Sequence, residues 1–198
     1  MSDVPAATPA HESARPRTRI GLFAALAVVV VVVDQLTKAW IDASFGLSRS
    51  ATPTGSVLVP PTEVFGTLVR ISKGYNDGAL FGLFGSSATV FAVASLAVIG
   101  VIVWYEVTHG AQGPLLLSIA LGFLAGGATG NLIDRVRLGH VVDFVDMGIG
   151  TSRWYVFNVA DASISTSIVL LLLISFLMDR LTRPSQARPT ASGNGTVR

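Results

Sequence analysis

The sequence contains no cysteine. That excludes a disulfide framework, a thiolate metal site and a cysteine nucleophile. Charge is scarce too: 13% of the 198 residues are Asp, Glu, Lys or Arg, while 51% are hydrophobic. With a mean hydropathy of +0.61, the chain is too apolar for an ordinary soluble domain. The basic residues form no nucleic-acid patch, so no nucleic-acid partner is expected. The small positive excess is read instead as membrane-surface charge. Internal repeats are absent, and so are the alternating segments of a transmembrane barrel.

What the chain does have is four long apolar runs, roughly Ile20 to Trp40, Ser87 to Tyr105, Pro114 to Ile133 and Val159 to Met178. Each is near the ~20 residues that cross a bilayer as a helix. Because lipid offers no partner to backbone N–H and C=O groups, the runs are expected to be helices. "VVVVVVDQLTKAW" continues into charge without a small-residue cleavage site, so the first span is expected to be an uncleaved anchor. Residues 1–19 and 184–198 are rich in Pro, Ala, Ser, Thr and Gly and are expected to be disordered cytoplasmic tails. They flank a four-helix membrane domain over 20–183.

Orientation rests on the arginines. Arg15, Arg17 and Arg19 precede the first span, and Arg180, Arg183, Arg188 and Arg198 follow the last. An equal number, Lys38, Arg49, Arg70, Lys73, Arg135, Arg137 and Arg153, falls on the opposite side, but long loops carry little weight in the positive-inside rule, so the tight terminal clusters decide. Both termini are therefore expected in the cytoplasm, with residues 41–86 and 136–157 outside.

These two outer loops hold most of the polar side chains. "TEVFGTLVRISKGYNDGALFG", with rough alternation through Thr67 to Ser72, predicts a small extracytoplasmic β-sheet region in the first loop, on the membrane surface. "YNDG" reads as a turn. The fold class expected is thus an all-α membrane protein of four transmembrane helices carrying this small sheet.

Two aspartates offer chemistry. Asp143 sits in the apolar setting "HVVDF", and Asp161 lies at the mouth of the last span, three residues after Asn158 on the same helix face. Two carboxylates in a poorly hydrated site do not readily both ionise. One can then act as base toward water while the other protonates the carbonyl or the leaving amine, with no metal or cofactor. Each residue also has an ordinary explanation. Asn158 and Asp161 fit a helix N-cap and its third-position partner, Asp34 and Lys38 an i, i+4 ion pair, Arg135 an interfacial anchor, Asn76 a turn, and Asp146 a solvated loop carboxylate. Their convergence at one end of the spans favours function.

"DQLTK", "YNDGALFG", "GGATGNLIDRVRLGHVVDF" and "FNVADASIS" occur in that order between about Val33 and Leu172. This ensemble resembles lipoprotein signal peptidase (signal peptidase II), the bacterial membrane aspartyl protease family. The resemblance implies an endopeptidase that removes the signal peptide from diacylglyceryl-modified prolipoproteins, cutting just before the lipidated cysteine. It implies Asp143 and Asp161 as the catalytic pair, Asn76, Asn131, Arg135 and Asn158 lining the site, and Asp34 and Lys38 supporting it. Leu80 stands where the family's "N-x-G-A-A-F" has its second Ala. The expected partners are the prolipoprotein and membrane lipid, with the protein a monomer of the bacterial plasma membrane, its site on the extracytoplasmic side. The rival readings are a membrane lipid transferase with Asp134, Asp143 and Asp146 on Mg²⁺, a non-enzymatic carrier with polar residues scattered along its spans, and a Ser–Lys hydrolase using Ser163 or Ser165.

Overall fold

A computed structural model describes residues 16–48, 59–76, 87–110 and 112–182. The tails as far as residue 15 and from 183 onward, the turn following Asn76, and Leu80 lie outside the described residues. Four helices are long and apolar enough to cross a membrane. They are α1 (Pro16–Ser44), α2 (Ser87–His109), α3 (Leu115–Leu138) and α4 (Val159–Thr182). Helix α1 starts four residues earlier than its apolar run, on a proline, whose missing N–H costs nothing in a first turn.

Helix α3 is the axis of the bundle and packs against α1, α2 and α4. Its buried residues include Gly122, Ala125, Gly126, Gly127, Ala128 and Gly130. Small side chains let membrane helices approach closely where lipid supplies no hydrophobic drive between them. A Cβ on Gly126 would lie 2.7 Å from Val30 Cβ of α1, and one on Gly127 would lie 2.5 Å from the Ala160 carbonyl oxygen of α4. Neighbouring glycines thus set the spacing to two different helices. At one end of the bundle Phe23, Ile102, Leu121 and Ala125 form a packed cluster. Nearby, the Arg19 guanidinium donates to the carbonyls of Gly110 and Gly113, tying α1 to the α2–α3 link.

The other end carries a four-stranded antiparallel sheet in the order β1 (Thr62–Phe65), β2 (Val69–Asn76), β3 (Val141–Ile149), β4 (Ser152–Arg153). The sheet expected in the first loop is present, and it extends into the second loop, whose Val141–Ile149 forms its longest strand. Gly139, at φ 76°, ends α3 in the left-handed region that glycine tolerates, and its N–H donates to the Arg135 carbonyl. The chain then enters β3 directly. Ile41, Val142 and Phe144 form a second cluster between the sheet and the end of α1, and Lys73 of β2 pairs with Asp42 at 2.6 Å.

Candidate active site

The eight singled-out residues come from five places. Asp34 and Lys38 are in α1, Asn76 ends β2, Asn131 and Arg135 are in α3, Asp143 is in β3, and Asn158 and Asp161 open α4. Side-chain amides link them. Asn158 Nδ2 donates to Asp143 Oδ1 at 2.7 Å, and Asn76 Nδ2 donates to Asp143 Oδ2 at 3.1 Å. Asn131 Nδ2 donates to Asp161 Oδ1 at 2.7 Å. The Asn131 Oδ1 in turn accepts from Asn158 Nδ2 at 3.2 Å and from Lys38 Nζ at 3.0 Å. Each aspartate is therefore oriented by an asparagine from another element, and the two asparagines are bonded to one another.

The capping explanation for Asn158 and Asp161 also holds. The Asp161 N–H donates to Asn158 Oδ1 at 2.9 Å, and the Asn158 N–H donates to Asp161 Oδ2 at 3.3 Å. This reciprocal pair is a capping box built from Asn and Asp. It fixes the first turn of α4, and with it the direction of Asp161.

Beneath the amides lies an ionic cluster. Lys38 Nζ is 2.8 Å from Asp34 and 2.9 Å from Asp134, all three side chains being buried. Asp34 Oδ1 accepts from the N–H of Ala160, so α1 holds the start of α4. Asp134 accepts from Gln35 Nε2 and from the Val142 N–H, which fixes the entrance of β3. Sequence reasoning found the Asp34–Lys38 pair but missed Asp134 and Gln35 as its partners. The i, i+3 spacing of Asn131 and Asp134 was a usable signal, since it puts both near one face of α3.

Asp146, read as a solvated loop residue, is buried between two arginines. Arg70 Nη2 lies 2.6 Å from Asp146 Oδ2, and Arg153 Nη2 lies 2.8 Å from Oδ1. Burial of a carboxylate demands such pairing, and here it locks β2, β3 and the β4 hairpin together.

Arg135 stacks over the Phe91 ring at 5.4 Å, a cation–π contact. Its buried Nε has no hydrogen-bond partner among the described residues, leaving donor capacity near the aspartates. Asn76, Asp143, Trp154, Tyr155, Phe157 and Asp161 line a cavity of about 600 Å³. Burial, and then the charge of Asp161, push the carboxyl of Asp143 up to about 6, while the amides of Asn76 and Asn158 pull it down.

The sequence model of signal peptidase (SPase) II matches residues 26–177. The chain belongs to the signal peptidase II family. It is 40% identical over 168 residues to the lipoprotein signal peptidase of Caulobacter vibrioides, a match covering 82% of this chain and 91% of that protein. It is 36% identical over 158 residues to the lipoprotein signal peptidase of Listeria welshimeri, covering 80% and 95%. Two solved bacterial membrane enzyme structures, determined by the in meso method at 2.3 Å and 1.9 Å resolution, share the fold with a TM-score of 0.69 each. Their sequence identities are 28% and 30%, and they cover 85% and 81% of this chain and 95% of each of theirs.

As a signal peptidase II the chain is a multi-pass membrane peptidase, and its geometry does not favour the transferase alternative. Asp134 is occupied by Lys38, and Asp146 by Arg70 and Arg153, while Asp143 takes amide donors instead. Among the described residues, no three His, Cys, Asp or Glu side chains converge as a metal-binding group. The linked aspartates and asparagines, with Lys38, gather at one end of the spans. Ser163 donates to the Phe123 carbonyl, which joins α4 to α3.

Proposed function

We propose that Asp143 and Asp161 are the catalytic pair of a peptidase that cleaves prolipoproteins just before a diacylglyceryl-modified cysteine. The observation that carries this is their convergence on one cavity from separate elements, a strand and a helix, each held by a different amide. Asp143, pushed up to about 6, is the member poised to hold the proton, and Asp161 then serves as base. Asp161 takes a proton from water as the oxygen attacks the scissile carbonyl. Asp143 gives its proton to the developing oxyanion. Collapse of the tetrahedral intermediate breaks the C–N bond, and the amine leaves with a proton from the dyad.

Asn76 and Asn158 orient the acid, and Arg135, with a fork of fixed donors, meets polar groups of the lipid or the peptide backbone. Asn131, Asp34 and Lys38 support the site from below. The site opens at the membrane surface, where an apolar signal helix and a lipid anchored in the leaflet can both reach it. The protein works in the bacterial plasma membrane with this end extracytoplasmic. That orientation is supported by Arg19, one of the basic cluster before α1, which is bound to the α2–α3 link at the opposite end.

Cleavage of a lipidated prolipoprotein by purified protein tests the reading. Asp143→Asn and Asp161→Asn should each abolish turnover while the protein stays folded. Substantial turnover in either variant defeats the dyad. An impermeant thiol reagent on whole cells tests the orientation: Thr62→Cys, exposed on β1 away from the hairpin turns, should label and Gln112→Cys should not.

A further inference from the structure

The two hairpin turns of the sheet lie at the same end. Val69 pairs with both Phe65 and Met147, the Gly148 N–H donates to the Leu68 carbonyl, and the Trp154 N–H donates to the Met147 carbonyl. Large apolar side chains are exposed at this tip: Phe65 at 72%, Ile149 at 80% and Trp154 at 74%, with Leu68 and Met147 beside them. Leu68, Met147, Ile149, Trp154 and Phe157 also wall an open cavity of about 640 Å³. Behind the tip the charge of Asp146 is already matched by Arg70 and Arg153. Contiguous apolar surface of this kind marks an interaction site.

Its occupant follows from where the tip sits. Trp154 and Tyr155 line one cavity together with Ala162 and Ser165 of α4. Ser165 lies six residues into a membrane-spanning helix, about 9 Å along its axis. Trp154 is four residues from Asn158, so the chain can carry it no more than about 14 Å from the start of α4. The tip is thus continuous with the lipid-facing surface of the bundle, at the level where aromatic side chains favour the membrane–water interface.

We infer that the end of the sheet formed by Phe65, Leu68, Met147, Ile149 and Trp154 inserts into the interfacial region of the bilayer, with lipid as its partner. The insertion holds the mouth of the Asp143–Asp161 cavity at the level of the leaflet, as an interfacial helix would hold a monotopic enzyme.

The full chain carrying Trp40→Phe and Trp104→Phe retains Trp154 as its sole tryptophan. It is reconstituted into phosphatidylcholine–phosphatidylglycerol vesicles. Phosphatidylcholine brominated in the upper part of its chains should quench Trp154 strongly, lipid brominated near the chain ends less, and aqueous iodide weakly. Adding Ile149→Asp, at a position too exposed to matter for folding, should raise iodide access several-fold. Ready iodide quenching without bromolipid quenching overturns the inference. Shielding from iodide without bromolipid quenching also overturns it, since protein then covers the tip. If the tryptophan replacements disturb folding, a nitroxide on Ile149→Cys in the cysteine-free chain reads the same depth. Collision with oxygen exceeding that with an aqueous nickel chelate is then expected, and the reverse order refutes the insertion.

Discussion

Asn158 and Asp143 are 15 residues apart in the chain, and Asn158 Nδ2 lies 2.7 Å from Asp143 Oδ1. The same asparagine caps α4 through its Oδ1, accepting the Asp161 N–H at 2.9 Å. One side chain therefore orients both aspartates, one by its amide nitrogen and the other through the helix turn its oxygen completes.

Those two roles separate in variants. Asn158→Ser keeps a good capping oxygen but is too short to reach Asp143, so the start of α4 should stay capped while turnover falls by roughly 10²-fold or more. Asn158→Ala should lose the same activity and about 1 kcal/mol of stability besides. Equal stability of the two variants in detergent, measured by thermal unfolding, would show the cap to be irrelevant.

The pH dependence follows from Asp143. Its carboxyl is raised from 3.8 to about 6, so the folded protein binds more protons than the unfolded chain across that window. The stabilising contribution of protonated Asp143 is full below the ordinary carboxylate value and is lost as pH rises through about 6. The kcat/KM profile should turn down on the alkaline side as the shared proton leaves, and it reports the pair and not one residue. Because the Asn76 amide lowers the Asp143 value, Asn76→Ala should move that alkaline limb to higher pH. A shift to lower pH contradicts the assignment.

Lys38 neutralises two buried carboxylates, Asp34 and Asp134. Lys38→Met leaves both without a cation and should cost on the order of 3–5 kcal/mol. Adding Asp34→Asn and Asp134→Asn should recover part of the loss, since the remaining amides keep acceptors for Ala160 and Val142. Denaturant unfolding in detergent micelles measures both steps. No recovery in the triple variant would mean that the cluster does not act as a unit.

Turnover should persist in excess EDTA. Asp134 and Asp146, the carboxylates that the metal-dependent reading would use with Asp143, already face Lys38, Arg70 and Arg153, and a dyad sharing a proton has no need of Lewis-acid activation. Activity lost to chelator and restored by Mg²⁺ or Zn²⁺ would revive the metal-dependent reading.

The four spans, the pairing of Asp34 with Lys38, and the gathering of asparagines and aspartates at one end were legible in the sequence. Hydropathy adds up locally along a chain, and lipid permits only a helix for runs of this kind. The strand carrying Asp143 was not legible. Val141, Val142, Asp143 and Phe144 are all buried, so no alternation of apolar and polar residues announces a strand there.

Its partner is equally distant, since Asn76 and Asp143 meet across 67 residues of sequence. For the same reason Asp146 read as a solvated residue: nothing nearby in sequence foretells Arg70, brought opposite by the β2–β3 register. The sequence by itself determined the membrane helices and the chemical groups at their ends, because these depend on composition and near-neighbour spacing. Only the tertiary structure decided which carboxylate faces an amide, which faces a cation, and which two share a cavity, because strand register and helix packing join residues that no local pattern connects.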